Sequence, residues 1–443
     1  MQIPLSPIRP LLRKLIVRGL GAVDARAAVG RTISREGEDL IIGRSRYDLR
    51  RYERVVVLGA GKATASMARA VEQRLGRRLH SGFVVVKYGH GLPTRRIVVA
   101  EAGHPVPDRS GLQAAATLRA MASDLGRRDL LIVLLSGGAS SLLPAPVAGI
   151  TLADKQQTTE KLLRCGASIR EINTVRKHLS RIKGGRLAEL TKATVVTLIL
   201  SDVLGDDLSS IASGPTVPDP STYQDAVAIL KRYCIWRSIP HRVRQHLDRG
   251  CHGLASETPK PETSLFRRVR QHIVGNNATA VTAVTRAARE AGLRTLVDTL
   301  ALTGEAREAG KRFGVMARNI VREGKPLQSP CCVVAGGETT VTVTGRGAGG
   351  RAQEFAAAAA LEIDGLAKVW VVAIGTDGTD GPTDAAGAVI DGNTVARAKR
   401  LKVDLKGALK RHNTYPALKR LRQLIITGPT GTNVNDLYLL LVL

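Results

Sequence analysis

KVWVVAIGTDGTDGPTDAAGA, residues 368–388, joins a short apolar run to a loop of glycines and carboxylates. The run at 369–374 is too short for an isolated helix and predicts a buried strand, which the Gly and Pro residues at 375–382 end. Asp377 and Asp380 stand among those glycines. Clustered carboxylates repel one another unless a hard cation such as Mg²⁺ or a cationic ligand joins them. The loop therefore predicts a metal or ligand site, with a solvated Asp-Gly turn as the alternative.

Length and composition indicate a globular α/β protein with more than one domain. At 443 residues the chain exceeds what one core normally serves, so two or three domains are expected. Hydrophobic residues make up 44% and aromatic residues only 3%, which predicts cores of Val, Leu, Ile and Ala. The basic, Pro-containing stretch 235–265 has few periodic signals and is interpreted as the inter-domain connection. We therefore expect domains at 1–240 and 241–443.

The net charge of +28 raises nucleic acid, a membrane surface or an anionic substrate as candidate partners. Basic residues concentrate at 231–272 and 397–422, away from the acidic loop, and are mostly arginines scattered over presumed helix faces. This distribution favours an Arg-rich solvated surface over a nucleic-acid site.

Cysteine usage and the amino terminus point to a cytoplasmic protein. Five cysteines without a CxxC pair predict neither a disulfide framework nor a zinc site, which fits a reducing compartment. Residues 1–20 interleave basic side chains with Leu and Ile, so we expect an amphipathic helix rather than a secretory signal. No window reaches ~18 uninterrupted apolar residues, so no membrane span is expected.

A strand-end loop near residue 60 is typical of anion binding. Apolar residues at 55–58 precede Gly59-Ala-Gly-Lys62 and an Ala-rich helix at 65–75, a layout that presents backbone N–H groups to an anion. The loop lacks the third Gly of a dinucleotide fingerprint and the spacing of a Walker A loop. A lysine aimed at phosphate or carboxylate and a tight turn with an exposed lysine both remain open.

A second loop, Ser136–Ser141, gives a stronger phosphate signal. It follows the apolar run 130–135, which predicts a central parallel strand. Its glycines let the backbone approach an oxyanion, and its hydroxyls add donors without bulk. Asp202 follows another predicted strand at 194–200, and a predicted helix at 169–190 carries many cationic side chains. Ligands bind at such strand ends in doubly wound sheets.

The carboxyl-terminal half also has a predicted strand that is followed by glycine and charged residues. A predicted strand at 332–335 leads to Gly336 and Glu338, and the Val/Thr alternation at 340–344 predicts an edge strand. Arg351 opens an Ala-rich helix, where a guanidinium can face an anion with five donors.

Together these loops suggest a cleft between two α/β domains that holds polyphosphate and metal. Phosphoryl transfer needs charge neutralisation and alignment, which this inventory of cations, hydroxyls and acids offers. The strand-end residues that supply it are Lys62, Ser136, Asp202, Glu338, Arg351 and Asp377.

Several long motifs resemble the glycerate 2-kinases of the MOFRL type, in order and over nearly the whole chain. They are Gly59–Ala63, Leu135–Ser141, Ile172–Ala188, Ala212–Thr216, Gly375–Gly387 and Thr427–Asp436. The resemblance implies a Rossmann-like amino-terminal α/β/α domain and a second α/β domain, whose MOFRL-type part covers about 328–440, with the active site in the cleft between them. It also implies ATP-dependent phosphorylation of D-glycerate at the 2-hydroxyl with a divalent cation, Mg²⁺. A homodimer is a further open expectation.

The resemblance also implies roles for individual residues. The lysine and arginine that match Lys62 and Arg351 are regarded as critical in that family, and together with Asp202 and Asp377 they form the expected catalytic set. The expected metal ligands are Asp202, Asp377 and Asp380. The expected nucleotide-binding residues are Gly59, Gly61, Ser136, Gly137, Gly138, Ser140, Ser141, Gly336, Glu338 and Asn433.

One departure and two rival functions accompany this expectation. The family usually has Asn after the arginine, and here Ala352 removes an amide. Relatives have also been named hydroxypyruvate reductases, so an NAD(P)H-dependent reductase is the main alternative. A basic nucleic-acid-binding protein is the weaker one.

Overall fold

The computed structural model describes residues 1–4 and 6–443, with the backbone but not the side chains of Thr299 and Leu300. The chain forms two compact units. The central unit is Ala25–Val274, and the terminal unit joins Met1–Asp24 to Gly275–Leu443. The domain limits 1–240 and 241–443 concern independently folding pieces and stay a prediction.

The strands, in chain order, are β1 (Ile33–Glu36), β2 (Asp39–Ile42), β3 (Ser45–Asp48), β4 (Arg54–Ala60), β5 (Ser81–Lys87), β6 (Ile97–Ala102), β7 (Asp129–Leu135), β8 (Thr194–Leu200), β9 (Val269–Gly275), β10 (Arg294–Leu302), β11 (Cys331–Gly337), β12 (Val369–Gly375), β13 (Gly387–Asp391), β14 (Leu424–Ile425) and β15 (Asp436–Val442).

The helices are α1 (Arg9–Ala22), α2 (Ala25–Thr32), α3 (Thr64–Leu75), α4 (Arg109–Ser123), α5 (Ala139–Leu142), α6 (Leu152–Arg164), α7 (Ile169–His178), α8 (Arg186–Leu190), α9 (Tyr223–Arg232), α10 (His241–Cys251), α11 (Asn277–Arg289), α12 (Ala306–Glu323), α13 (Arg351–Glu362), α14 (Thr394–Arg400), α15 (Leu405–Lys410) and α16 (Thr414–Arg420). No helix among the described residues is both long enough and apolar enough to cross a bilayer.

The main sheet of the central unit has the order β6-β5-β4-β7-β8-β9. Strands β6, β5, β4, β7 and β8 pair in parallel. Every residue of β7 is buried, so both faces of the sheet are covered, and the predicted central parallel strand is confirmed. The chain lays down β4, β5 and β6 in one direction and then returns to add β7 and β8 on the other side. The strand order therefore reverses between β4 and β7.

The sheet of the terminal unit has the order β10-β11-β15-β12-β13-β14. Strand β15 lies antiparallel between β11 and β12, and Asp436 at its start pairs with Gly337 on one side and Gly375 on the other. The carboxyl ends of β11 and β12 therefore flank the beginning of β15. Strand β12 is buried along its whole length, which confirms the strand predicted at 369–374. A third, three-stranded antiparallel sheet has the order β1-β2-β3. The predicted α/β fold class is thus confirmed.

Three local predictions are wrong. The helix predicted at 169–190 ends at His178, and Gly184 and Gly185, which take positive φ angles, separate it from α8. The stretch 235–265, interpreted as the inter-domain connection, lies within the central unit. It contains α10, whose Val243 and Leu247 are buried one turn apart.

The predicted edge strand at 340–344 is also absent from the described chain. Thr340 makes only an isolated bridge to Glu305. The backbone N–H of Thr342 donates to the Glu305 carboxylate at 3.0 Å. A side chain therefore takes the donor that a neighbouring strand would have needed.

Candidate active site

The loops after β4 and β7 lie side by side at the point where the strand order of the central sheet reverses. In open α/β sheets this is where ligands bind, outside the carboxyl ends of the strands. The backbone N–H of Lys62 donates to the Gly137 carbonyl at 2.8 Å. The Ser136 hydroxyl accepts from the N–H of Ala63 at 3.0 Å. The structure thus brings the two predicted phosphate loops together.

Glycine is required where these loops meet. Gly61 has φ +140°, and a Cβ there would lie 2.1 Å from the Ser136 hydroxyl. A Cβ on Gly59 would lie 2.3 Å from the Leu134 carbonyl. At Gly138, with φ +89°, it would lie 2.9 Å from the His104 ring. The glycines therefore permit the close approach of β4, β7 and the loop that carries His104.

His104 lies in the segment between β6 and α4, with its ring next to Gly138. Burial, with a further contribution from the nearby Lys62 ammonium, lowers the pKa of His104 to about 4. The imidazole is therefore neutral at pH 7.

A cleft of about 690 Å³ opens beside Ser140 and Ser141. Lys155, Arg176 and Lys183 also line it. The Lys183 ammonium group lies within 3.1 Å of the Ser140 carbonyl oxygen, to which it donates. Burial lowers the pKa of Lys183 well below its usual range, with Lys155 and Arg176 adding to the effect. The cleft is therefore lined by amine and guanidinium groups whose protonated forms are costly to bury without an anion.

Hydroxyl and amide side chains form hydrogen bonds that anchor the Ser136–Ser141 loop. The Ser140 and Ser213 hydroxyls are 2.8 Å apart, and Ser213 donates to the Asn173 side-chain oxygen at 2.9 Å. Asp202 comes directly after β8, the strand next to β7. It therefore stands at the same edge of the sheet as the two loops.

In the terminal unit, Arg351 is fixed by two carboxylates. Its Nε and Nη2 donate to the two oxygens of Asp436 at 2.6 and 3.0 Å, and its Nη1 donates to Glu338 at 2.5 Å. Burial disfavours the guanidinium charge, but Asp436 and Glu338 outweigh it and raise the pKa of Arg351. The Tyr438 hydroxyl also donates to Asp436 at 3.0 Å. Arg351 is therefore held charged and in one orientation at the start of α13.

Asp380 caps the same helix. Its two carboxylate oxygens accept the backbone N–H groups of Ala352 and Gln353 at 3.0 and 2.9 Å. Asp380 is 3% exposed, and burial, reinforced by the Asp436 charge, raises its pKa to about 7. Ala352 is fully buried and takes part through its backbone N–H.

The remaining predicted residues of the terminal unit lie at the same edge of its sheet. Asp377 follows β12, and its Oδ1 accepts the N–H of Thr379 at 3.0 Å. Gly336 gives room to Asn277, whose side-chain oxygen would lie 1.6 Å from a Cβ at that position. Asn433 lies in the loop that leads into β15. Glu338, Arg351 and these loops therefore gather around the start of β15.

Magnesium fits this chemistry without a cage made only of protein ligands. Within residues 1–4 and 6–443, no three His, Cys, Asp or Glu side chains form a group that could hold a metal ion. Mg²⁺ at phosphoryl-transfer sites usually takes one or two carboxylates and completes its shell with substrate phosphates and water. Asp202 belongs to the central unit and Asp377 to the terminal unit, and each follows a sheet strand. Asp380 is already engaged as a helix cap.

Comparisons with known proteins identify the family. A profile described as "Domain of unknown function (DUF4147)" matches residues 11–248, and one described as "MOFRL family" matches residues 331–436. The chain is 41% identical to the glycerate 2-kinase of Pyrococcus horikoshii over 98% of its own length and 97% of that protein. The chain belongs to the MOFRL-type glycerate 2-kinase family.

Other relatives of the family carry two different names. The crystal structure of glycerate kinase from Thermotoga maritima matches with a TM-score of 0.87 and 40% identity, covering 98% of this chain and 99% of that chain. A protein of Agrobacterium vitis, provisionally named hydroxypyruvate reductase, is 44% identical over 88% of this chain and 87% of that protein. The kinase and reductase names thus occur within one family.

Sequence reasoning named neither Asp436 nor Lys155 as a site residue, and it included Lys183 only among the cationic side chains of the predicted helix at 169–190. Asp436 stood in a quoted motif, and the available signal was a carboxylate directly before the apolar strand β15. Lys155 has no such signal, because a lysine on an amphipathic helix is usually solvated. Lys183 lies in the break between α7 and α8 that the sequence reading did not recognise.

Proposed function

We propose that the protein transfers the terminal phosphoryl group of ATP to the 2-hydroxyl of D-glycerate, giving 2-phosphoglycerate and ADP. The bond between the γ-phosphorus and the β,γ-bridging oxygen breaks, and a bond from the glycerate 2-oxygen to that phosphorus forms. The hydroxyl proton passes to a carboxylate. The observation that carries the proposal is the pair of glycine loops at the strand-order reversal, with Lys62 on one and Ser136–Ser141 on the other.

The proposed roles follow from charge and exposure. The Ser136–Ser141 loop cradles the nucleotide phosphates, since its glycines admit close approach and its hydroxyls donate. Lys62 and Arg351 hold the γ-phosphate or the glycerate carboxylate, because a fixed guanidinium matches a planar or tetrahedral oxyanion. Asp436 is a positioning residue that acts through Arg351. Such a set supplies charge neutralisation and alignment, which is most of what phosphoryl transfer requires.

Asp202 of the central unit and Asp377 of the terminal unit are each a candidate ligand for Mg²⁺. When bound it neutralises charge on the phosphate oxygens. The same two carboxylates are the candidates for accepting the hydroxyl proton, since both follow sheet strands. Asp380 supports the start of α13 instead.

A coupled assay tests the reaction directly. The enzyme is incubated with D-glycerate, ATP and MgCl₂, and the product is passed to enolase, which consumes 2-phosphoglycerate but not the 3-phosphate. We expect enolase-dependent product without addition of a mutase. Product that appears only after a mutase is added would contradict phosphorylation at the 2-hydroxyl.

The Agrobacterium vitis name supplies the second candidate, reduction of hydroxypyruvate by NAD(P)H. The β4–loop–α3 unit carries only part of a dinucleotide fingerprint, because Thr64 stands where the third glycine would be. We expect no hydroxypyruvate-dependent loss of NADH or NADPH absorbance. A loss that scales with enzyme concentration would favour the reductase.

A further inference from the structure

Lys155 is a buried amine that the roles above do not use. It lies on α6, is 6% exposed and lines the 690 Å³ cleft of the central unit. Its Nζ has no hydrogen-bond partner among the described residues. Burial lowers the pKa of Lys155 to about 7, and the Arg176 charge adds to this.

A buried amine without a hydrogen-bond partner destabilises the folded protein. A buried donor without a partner loses its hydration and gains nothing in return. A methionine of similar length would avoid that cost. An anion that enters the cleft would give this amine the partner that it lacks.

The other polar groups of the cleft also suit an anion. Arg176 and Lys183 line it with Lys155, and burial lowers the pKa of each. Glu160 is the one carboxylate among the described lining residues, and it is exposed and paired with Arg164 at 2.6 Å. No buried carboxylate among the described lining residues therefore pairs with Lys155 or Arg176.

The size of the cleft favours a large anion. A small hydroxy acid would fill little of 690 Å³. Val106 and Leu152 contribute apolar surface to the same cleft, which suits the flat base of a nucleotide. Ser140 and Ser141 connect the cleft to the loop at the strand-order reversal.

We propose that Lys155, with Arg176 beside it, binds the polyphosphate of the donor nucleotide. The nucleotide as donor rests on the proposed function, whereas the anion site rests on the cleft itself. Lys183 helps to position the site by donating a hydrogen bond to the Ser140 carbonyl.

The test compares Lys155→Met with Lys161→Met. Lys161 lies on the same helix and carries the same charge, but it does not line the cleft. Sodium tripolyphosphate, ATP with MgCl₂ and D-glycerate are titrated separately into each protein by calorimetry. We expect Lys155→Met to weaken tripolyphosphate and ATP binding about tenfold or more, the usual effect of losing one charged hydrogen bond, and to leave glycerate binding unchanged. Lys161→Met should match the wild type.

Thermal unfolding separates this role from a structural one. Without ligand, Lys155→Met should melt at or above the wild-type temperature, because it removes an unpaired buried amine. With tripolyphosphate it should gain much less stabilisation than the wild type. If Lys155→Met does not fold, Arg176→Gln carries the same binding test.

The results distinguish the anion site at Lys155 from the proposed kinase reaction. Unchanged tripolyphosphate binding in the variants, or a loss confined to glycerate, would overturn the anion site while leaving the kinase reaction intact. A wild type that binds ATP through Lys155 without phosphorylating glycerate would retain the anion site and overturn the proposed reaction.

Discussion

Lys62 carries the sharpest test among single side chains. Its backbone is held by the Gly137 carbonyl at 2.8 Å and α3 begins two residues later, so truncating the side chain leaves the loop in place. We expect Lys62→Ala to lower kcat/KM for phosphorylation by roughly 10²–10³-fold, the loss typical of one charge-stabilising donor, with an unchanged melting temperature. Lys192→Ala removes the same charge from an exposed position of the same unit and should retain full activity. Equal losses in both variants would contradict a specific role for Lys62.

Asp436 and Glu338 both bind Arg351, but they differ in burial. The Asp436 side chain is 2% exposed and that of Glu338 is 45% exposed. Asp436→Asn should therefore lower the free energy of unfolding by on the order of 3 kcal/mol, because it takes one partner from a largely buried pair. Glu338→Gln should cost less than about 1 kcal/mol. Urea unfolding of both variants measures the difference, and equal losses would mean that burial does not set the strength of this cluster.

Residue type indicated some of the candidate site residues but not the partners that position them. Lys62, Ser136 and Arg351 carry types and neighbours that are typical of anion sites, so the sequence indicated them. Asp436 and Lys155 become significant only through strand pairing and burial. Both depend on residues distant in the chain, and a single sequence does not report those distances.

The contact between the β4 and β7 loops is a property of two elements, and Gly61 tests it. A Cβ there would lie 2.1 Å from the Ser136 hydroxyl, so Gly61→Ala must displace the second loop. We expect a loss of about 1–3 kcal/mol in unfolding free energy, as for other overpacked sites, together with reduced activity. Gly21→Ala in α1 has nothing within 4 Å of its added Cβ and should be neutral or stabilising by about 0.5–1 kcal/mol. Denaturant titration compares them, and an unaffected Gly61→Ala would mean that the loops are not closely packed.

Elements with a strong local sequence pattern were predictable. Elements that depend on pairing with distant parts of the chain were not. The apolar runs that became β7 and β12 are buried on all sides, so composition alone identified them. The 340–344 segment alternates as a strand should, yet its Thr342 donor binds the Glu305 carboxylate instead. Alternation predicts a strand only where a free sheet edge is available, and the sequence does not show which edges are free.

At the scale of the whole molecule, the chain does not divide into consecutive halves. Residues 1–24 belong with 275–443, and a Cβ on Gly19 of α1 would lie 2.7 Å from Val284 of α11. The sequence predicted α1 as an amphipathic helix, but periodicity identifies an apolar face and not the surface that covers it. The long-range pairing of α1 with α11 therefore required the structure.

The two units contain titratable groups with opposite effects on stability, the half-buried His104 and the buried Asp380. In the central unit the folded pKa of His104 is about 4, below its ordinary 6.5, so the unfolded state binds more protons and stability is lost as pH falls through this range. In the terminal unit the folded pKa of Asp380 is about 7, above its ordinary 3.8, so stability is lost as pH rises through that range. Each unit of pKa difference corresponds to about 1.4 kcal/mol at most.

One tryptophan lies in each unit, Trp236 in the central unit and Trp370 in the terminal unit, so fluorescence can follow the units separately. In a Trp370→Phe background, His104→Gln should gain stability relative to its parent as pH falls from 7 to 5, because the parent loses the contribution of neutral His104. In a Trp236→Phe background, Asp380→Asn should gain relative to its parent as pH rises from 5 to 8, because the parent must ionise a buried carboxyl. Urea unfolding at each pH measures both differences. If stability relative to the parent varied with pH in the same direction in both pairs, the opposing roles of these groups would be contradicted.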